Sequence, residues 1–264
     1  MAARRRLDAE LVRRGLVPSR DAAKREIEAG RVVVGNAPAT KPARSVLPGD
    51  DVRILGPPPK FVSRAGRKLE AALDHFDIDP AGLTVLDAGS STGGFTDCLL
   101  QRGAGHVVAV DVGTHQLHEK IRADDRVDVR EKTDVRSIDV EALGGPVDLV
   151  VGDLSFISLK LVMLALTGVS RVDGPMLLLI KPQFEAGRQE AAKGKGVITD
   201  PAIHDRVIDE VRDAALSHGA VMVDVMVSPI TGNAGNVEFV GYFLANASAA
   251  SGPQSGIMKP GTTQ

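Results

Sequence analysis

Leu83-Thr-Val-Leu-Asp-Ala-Gly-Ser-Ser-Thr-Gly-Gly-Phe95 decides how this chain is read. The apolar run Leu83–Asp87 passes into a Gly/Ser-rich turn and then into a helical pattern over Thr96–Arg102. Strands that are apolar without alternation are buried on both faces, which is the habit of parallel sheets. The same kind of run recurs at His106-Val-Val-Ala-Val-Asp111, Val147–Asp153 and Pro175–Lys181. Between them, helices are expected from Ser63 (with Leu69, Ala72, Leu73 and Phe76 on one face), over Ser158–Val169 and over Ala202–His218. Strands alternating with helices predict an α/β fold, a mostly parallel sheet covered on both faces. Val221–Val227 and Glu238–Leu244 flank a Gly/Asn-rich loop, so the sheet is expected to end in an antiparallel pair.

Ahead of this body lies a segment of different character. Up to residue 68 the chain carries 16 Lys/Arg against 7 Asp/Glu, whereas the remainder carries 16 against 27. A basic head on an acidic body points to a polyanion-binding module. Two short helices are expected in the head, Leu7–Leu16 ended by Gly15, and Arg20–Ala29 capped by Ser19. A strand from Arg31 then enters a turn at Gly35-Asn36, and Val52–Leu55 reads as a further strand. The expected organisation is a small α+β head over 1–56, a Pro-rich linker over 57–62, a body over 63–245 and a disordered tail over 246–264.

The chain has 264 residues, 43% hydrophobic and 25% charged, with a mean hydropathy of +0.01. No apolar run reaches the roughly 18–20 residues of a membrane-spanning helix. The Met-Ala-Ala-Arg-Arg-Arg start lacks the apolar stretch of a secretory signal. Cys98 is the only cysteine, which excludes an internal disulfide framework and a cysteine-based zinc site. A cytoplasmic location is expected. His115 and His118 read as a solvent-facing pair rather than metal ligands, and no metal is expected.

The turn after Asp87 does not fit Gly-x-Gly-x-x-Gly, and no Gly-x-x-x-x-Gly-Lys-Ser/Thr is present, which weighs against dinucleotides and nucleoside triphosphates. Gly89, Ser90, Ser91, Gly93, Gly94 and Phe95 are the candidate cofactor turn, since ligands of such sheets sit at the carboxyl ends of the strands. Asp111, ending the second strand, can accept from both hydroxyls of a ribose. Asp134, beyond a third strand around Val127–Arg130, can meet an adenine edge. Asp87 either shapes the turn or touches the ligand. An Asp-x-Gly-rich turn followed by an acidic second-strand end resembles the S-adenosyl-L-methionine site of class I methyltransferases.

Four charged residues converge on the same sheet end. Asp153 and Lys181 each close an apolar strand, Lys68 lies early in the body's first helix, and Glu238 begins the last strand. A lysine ending a buried strand either exposes a cation at the ligand crevice or requires a partner. Phe95 and Phe156 are candidates to flank a ligand, although core packing is the default reading for each.

Lys68, Asp153, Lys181 and Glu238, threaded around Asp87-Ala-Gly-x-x-x-Gly-Gly-Phe95, resemble the Lys–Asp–Lys–Glu tetrad of FtsJ-type RNA ribose 2′-O-methyltransferases. Arg4-Arg-Arg-Leu-Asp8 and Ser19-Arg20-x-x-Ala-x-x-x-Ile27-x-x-Gly30-x-Val32 resemble an S4 RNA-binding domain. The pair, with Ser63-Arg-Ala-Gly-x-Lys68-Leu, Asp153-Leu-Ser-Phe-Ile-Ser, Ile180-Lys-Pro-Gln-Phe-Glu and Ser228-Pro-Ile-x-Gly-x-x-Gly-Asn-x-Glu-Phe, resembles the TlyA (hemolysin A) family over residues 4–244.

The resemblance implies a Rossmann-like, seven-stranded class I methyltransferase body behind an S4 domain. It implies S-adenosyl-L-methionine as cofactor and cytidine 2′-O-methylation of 16S and/or 23S rRNA in ribosomal subunits by a monomer. Lys181 is then the candidate base, or the group that steers the hydroxyl lone pair. Burial and Lys68 favour its neutral form, Asp153 and Glu238 its charged form, and the sequence leaves that balance open. Asp153 orients Lys181 and also faces the cofactor; Glu238 positions the ribose or a lysine. RNA contacts are assigned to Arg4, Arg5, Arg6, Arg14, Arg20, Lys24, Arg64 and Arg67. The rival readings are a non-catalytic S4 RNA-binding protein and a membrane-active hemolysin.

Overall fold

The computed structural model describes residues 4–17, 19–57, 59–194, 196–232 and 234–246, so the tail expected beyond Asn246 lies outside the described residues. The chain divides into two compact units, Met1–Pro59 and Lys60–Gln264.

The first unit packs helices Leu7–Arg13 and Arg20–Glu28 against short strands. Ser19 caps the second helix by accepting from the Ala22 N–H at 3.2 Å. The expected turn at Gly35-Asn36 joins Val32–Val34 to Ala37–Pro38, and Val52–Ile54 completes a three-stranded sheet. Arg5–Arg6 pairs separately with Ser45–Val46. Leu7, Leu11, Ala23, Ile27, Val32, Val46 and Val52 form its core.

Among its described residues the second unit contains seven strands: β1 (Thr84–Ala88), β2 (His106–Val110), β3 (Val127–Arg130), β4 (Leu149–Gly152), β5 (Gly174–Ile180), β6 (Ala220–Val227) and β7 (Phe239–Ala245). Their order is β6-β7-β5-β4-β1-β2-β3. Only β7 runs against its neighbours, pairing antiparallel with both β5 and β6 at the sheet's edge. Alternation of side chains across the pleat explains the apolar runs. Leu86, Val108, Val150, Leu178 and Ile180 enter the core on one face; Val85, Val107, Val151, Leu177 and Leu179 enter the core on the other. The strand order reverses beside β1, at the gap between β1 and β4, where ligands of doubly wound sheets bind.

Several boundaries move for physical reasons. The helix expected from Ser63 begins at Gly66, because Ser63–Gly66 is a turn pressed against the next helix, Gly94–Gln101. A Cβ on Gly94 would lie 2.2 Å from Ser63 Oγ, and one on Gly66 would lie 2.8 Å from the Gly94 carbonyl oxygen, so both positions must be glycine. The helix expected over Ser158–Val169 is split into a 3₁₀ turn, Leu159–Leu161, and a helix, Met163–Val169. The expected linker also shortens: Phe61 is buried among Leu69, Phe95 and Leu99, and the Val62 N–H donates to Asp97 Oδ2 at 2.8 Å.

Candidate active site

The sheet register alone brings the four charged residues to one rim. Ile180 pairs with Phe239, so Lys181 and Glu238 leave the sheet side by side because β5 and β7 run in opposite directions. Gly152 pairs with both Ala88 and Leu178, which sets Asp153 between the turn after β1 and the end of β5. Lys68 approaches from the first turn of helix Gly66–His75.

The side chains close into one network. Lys68 Nζ donates to Glu238 Oε2 at 2.6 Å and lies 3.5 Å from Asp153 Oδ2. Lys181 Nζ lies 2.5 Å from Asp153 Oδ1 and donates to Ser155 Oγ at 2.9 Å. Lys68, Lys181 and Glu238 are buried, at 6%, 6% and 3% exposure. Two cations facing two carboxylates leave no uncompensated charge, which is what makes this burial tolerable. Asp153 bridges both lysines. Moving it would disturb the whole set.

The turn Gly89–Gly93 lies at the ends of β1 and β4. Gly89 has φ +85°, and a Cβ there would fall 3.2 Å from the Asp153 carbonyl oxygen; both facts demand glycine and leave the rim free of side-chain bulk. Ser90 is anchored by its N–H to the Val110 carbonyl at 3.0 Å, and Gly93 (φ +90°) caps helix Gly94–Gln101. Asp111 accepts from the Ser91 N–H at 2.8 Å and the Gly113 N–H at 2.7 Å, which fixes its carboxylate while leaving lone pairs unused. Asp134 caps the 3₁₀ turn Val135–Ser137, and the Arg136 guanidinium holds its carboxyl down at about 2. Asp87 is wholly buried and accepts from Thr96 Oγ1 at 2.6 Å. It therefore shapes the turn from behind. Burial pushes its carboxyl up to about 7.

The two aromatic candidates part company. Phe95 is a core residue at 3% exposure, because the second position of helix Gly94–Gln101 faces Phe61, Leu69 and Leu99; it is removed from the cofactor set. Phe156 is 92% exposed, sits at φ +64°, and packs against Phe184 at 5.2 Å between ring centres. The Phe184 ring is in turn 5.8 Å from Lys181 Nζ.

Among the basic residues of the first unit, Arg14 is withdrawn from the RNA set. It bonds to Glu10 at 2.8 Å and to the carbonyls of Asp50 and Pro48 at 2.8 and 3.0 Å, so it braces the fold. Arg6 and Arg20 each meet the buried Asp8 at 2.9 Å, and with Lys24 they line a cleft of about 450 Å³. Arg4 and Arg5 are exposed in the first unit. Arg64 and Arg67 are exposed in the second unit, where Arg64 donates to the Thr231 carbonyl at 2.9 Å.

Four residues around the site escaped the sequence reading. Ser155 receives Lys181; Gln183 Nε2 reaches Glu238 Oε1 at 3.3 Å; Ser91 Oγ donates to Gln116 Oε1 at 3.2 Å; and Glu185 accepts from the Leu159 N–H at 2.7 Å. Ser155, Gln183 and Glu185 lie inside the quoted motifs, which was the available signal. Gln116 carries none. No group of three or more His, Cys, Asp or Glu among the described residues is placed to hold a metal ion, and no helix among them is long and apolar enough to cross a membrane.

Residues 61–243 match the FtsJ-like methyltransferase family and residues 5–52 match the S4 domain. The chain is 48% identical to the 16S/23S rRNA (cytidine-2′-O)-methyltransferase TlyA of Mycobacterium tuberculosis, over 92% of this chain and 90% of that protein. It is 36% identical to Hemolysin A of Brachyspira hyodysenteriae, over 90% and 99%. A Streptococcus thermophilus structure named as a hemolysin superposes with a TM-score of 0.73 at 36% identity, covering 96% of this chain and 91% of that one. With these motifs, this sheet order and this tetrad, the chain belongs to the FtsJ-like methyltransferase family, in its S4-headed TlyA (hemolysin A) branch.

Proposed function

We propose that this protein is an S-adenosyl-L-methionine-dependent methyltransferase that modifies the 2′-hydroxyl of cytidine in ribosomal RNA, in 16S and/or 23S rRNA within ribosomal subunits. The observation that carries the reading is the buried Lys68–Glu238, Lys181–Asp153 network at the carboxyl ends of the parallel strands. A neutral ribose hydroxyl is a weak nucleophile, so catalysis asks for alignment and for somewhere to put a proton. When bound, the cofactor supplies a methyl group on a positively charged sulfur. Gly89, Ser90, Ser91, Gly93 and Gly94 fit it as a side-chain-poor cradle, with Asp111 on the ribose side, Asp134 on the adenine side and Asp153 on the amino-acid side.

Lys181 is the base, or the group directing the hydroxyl's lone pair; if it remains charged, it stabilises the forming alkoxide instead. Asp153 orients it, and Glu238 holds Lys68 and the ribose side. Phe156 offers an exposed aromatic face beside the tetrad on which a base can rest. RNA phosphates are met by Arg4, Arg5, Arg6, Arg20 and Lys24 of the S4 unit and by Arg64 and Arg67 of the body. The protein works in the cytoplasm as a monomer. Tritium transfer from labelled cofactor to purified ribosomal subunits tests the reading, with reverse-transcription stops at low nucleotide concentration locating the sugar. Incorporation should vanish in Lys181→Ala; incorporation into a base, or none with wild-type protein, would refute it.

A further inference from the structure

A lysine amine on its four-carbon stem has three rotatable N–H positions, so a single partner fixes how far away it sits but not where it points. Lys181 has a second partner outside the tetrad. Its Nζ lies 2.5 Å from Asp153 Oδ1 and 2.9 Å from Ser155 Oγ. Asp153 is shared with Lys68 at 3.5 Å, so the carboxylate by itself is an ambiguous guide.

Two features just after Ser155 fix the course of its segment. Phe156, next in the chain, takes φ +64°, a left-handed conformation that a residue with a side chain adopts only when its surroundings enforce it. Further on, Glu185 accepts from the Leu159 N–H at 2.7 Å and from Ser158 Oγ. Glu185 lies four residues after Lys181, so the segment 153–159 is strapped back onto the end of β5 that carries the lysine. The strap, the left-handed residue and the serine together form a fixed jig.

We propose that Ser155 is a positioning residue for methyl transfer: it occupies one N–H position of Lys181, Asp153 occupies another, and the remaining position of the nitrogen is turned towards the ribose hydroxyl. This rests on the reading of Lys181 given above. Ser155 is exposed, so removing its hydroxyl leaves the core intact. Misplacing a reacting group by about 1 Å can cost on the order of 100-fold in rate.

The test compares full-length wild type, Ser155→Ala, Ser155→Thr and Lys181→Ala in tritium transfer to ribosomal subunits. The expected result for Ser155→Ala is a kcat lowered about 10- to 100-fold, with KM for RNA and for cofactor within about twofold of wild type. Ser155→Thr, which keeps the hydroxyl, should recover most of the rate. A merely structural serine would not produce that split and rescue. Ser155→Ala at the wild-type rate, a defect confined to KM, or a Thr variant as impaired as the Ala variant would each overturn the proposal. Failure of the underlying reading shows separately, as activity retained in Lys181→Ala.

Discussion

Two side chains near the tetrad make opposite demands on their surroundings. Asp87 lies under the glycine-rich turn after β1, with one oxygen bonded to Thr96 and the other without a partner among the described residues. Burial raises its carboxyl to about 7, against the lowering effect of the Thr96 hydroxyl. The folded state therefore holds a proton that the unfolded chain releases near pH 4. The stability gained this way is complete below that pH and is lost as the pH rises to about 7. At about 1.4 kcal/mol per pH unit, the slope sums to about 4 kcal/mol at most. Urea unfolding from pH 4 to 8 should show the slope in wild type and its removal in Asp87→Asn, with the variant the more stable at pH 8; parallel curves would contradict this. Glu238 depends instead on an empty space. A Cβ on Gly232 would fall 2.5 Å from Glu238 Oε1. Gly232→Ala should thus push the carboxylate off Lys68 and lower kcat about tenfold or more, while the melting temperature moves by only a few degrees, since the displaced group is the flexible end of a side chain.

At the scale of elements, the strands were legible because burial on both faces leaves an unbroken apolar run; Asp153 and Lys181 stood out because each ends such a run and Glu238 because it begins one, whereas Lys68, inside a helix, stood out only through its motif. Helix beginnings were less so. The turn before Gly66 is dictated by Gly94, 28 positions away, and no local pattern reports such a contact. Phe95 read as a ligand neighbour because it follows the turn, yet the helix phase carries it into the core. Arg14 read as a surface cation, but three backbone carbonyls and a glutamate absorb it. Glu185 illustrates what spacing hides: its buried carboxylate pins the Leu159 N–H and divides the expected helix. Glu185→Ala would strand that buried donor at a cost of about 1–3 kcal/mol. Chemical denaturation should register the loss, and a variant as stable as wild type would dismiss the strap.

Across the whole molecule, charge is distributed by task, with the excess of cations in the S4 unit and the excess of carboxylates in the body. Arg6, Arg20 and Lys24 surround one cleft, and the buried Asp8 anchors the two guanidinium groups. The Arg6 and Arg20 guanidiniums hold the Asp8 carboxyl far below its usual range, so both arginines stay fixed at neutral pH. Each phosphate contact adds about 0.9 to the slope of log affinity against log salt concentration. Arg20→Ala and Lys24→Ala should each flatten that slope by about one, while weakening all RNA sequences alike. Slopes identical to wild type would take the cleft out of RNA binding.

The antiparallel seventh strand has a further consequence, for the order in which the molecule comes into being. Residues 239–245 fill the gap between β5 and β6, so during synthesis β5 and β6 must wait for a partner that is made after both. Glu238, at the head of that late strand, is the last tetrad member to emerge. A nascent chain that has not yet reached this strand therefore lacks one corner of the tetrad, and competence waits until residues 239–245 have slotted between their two neighbours.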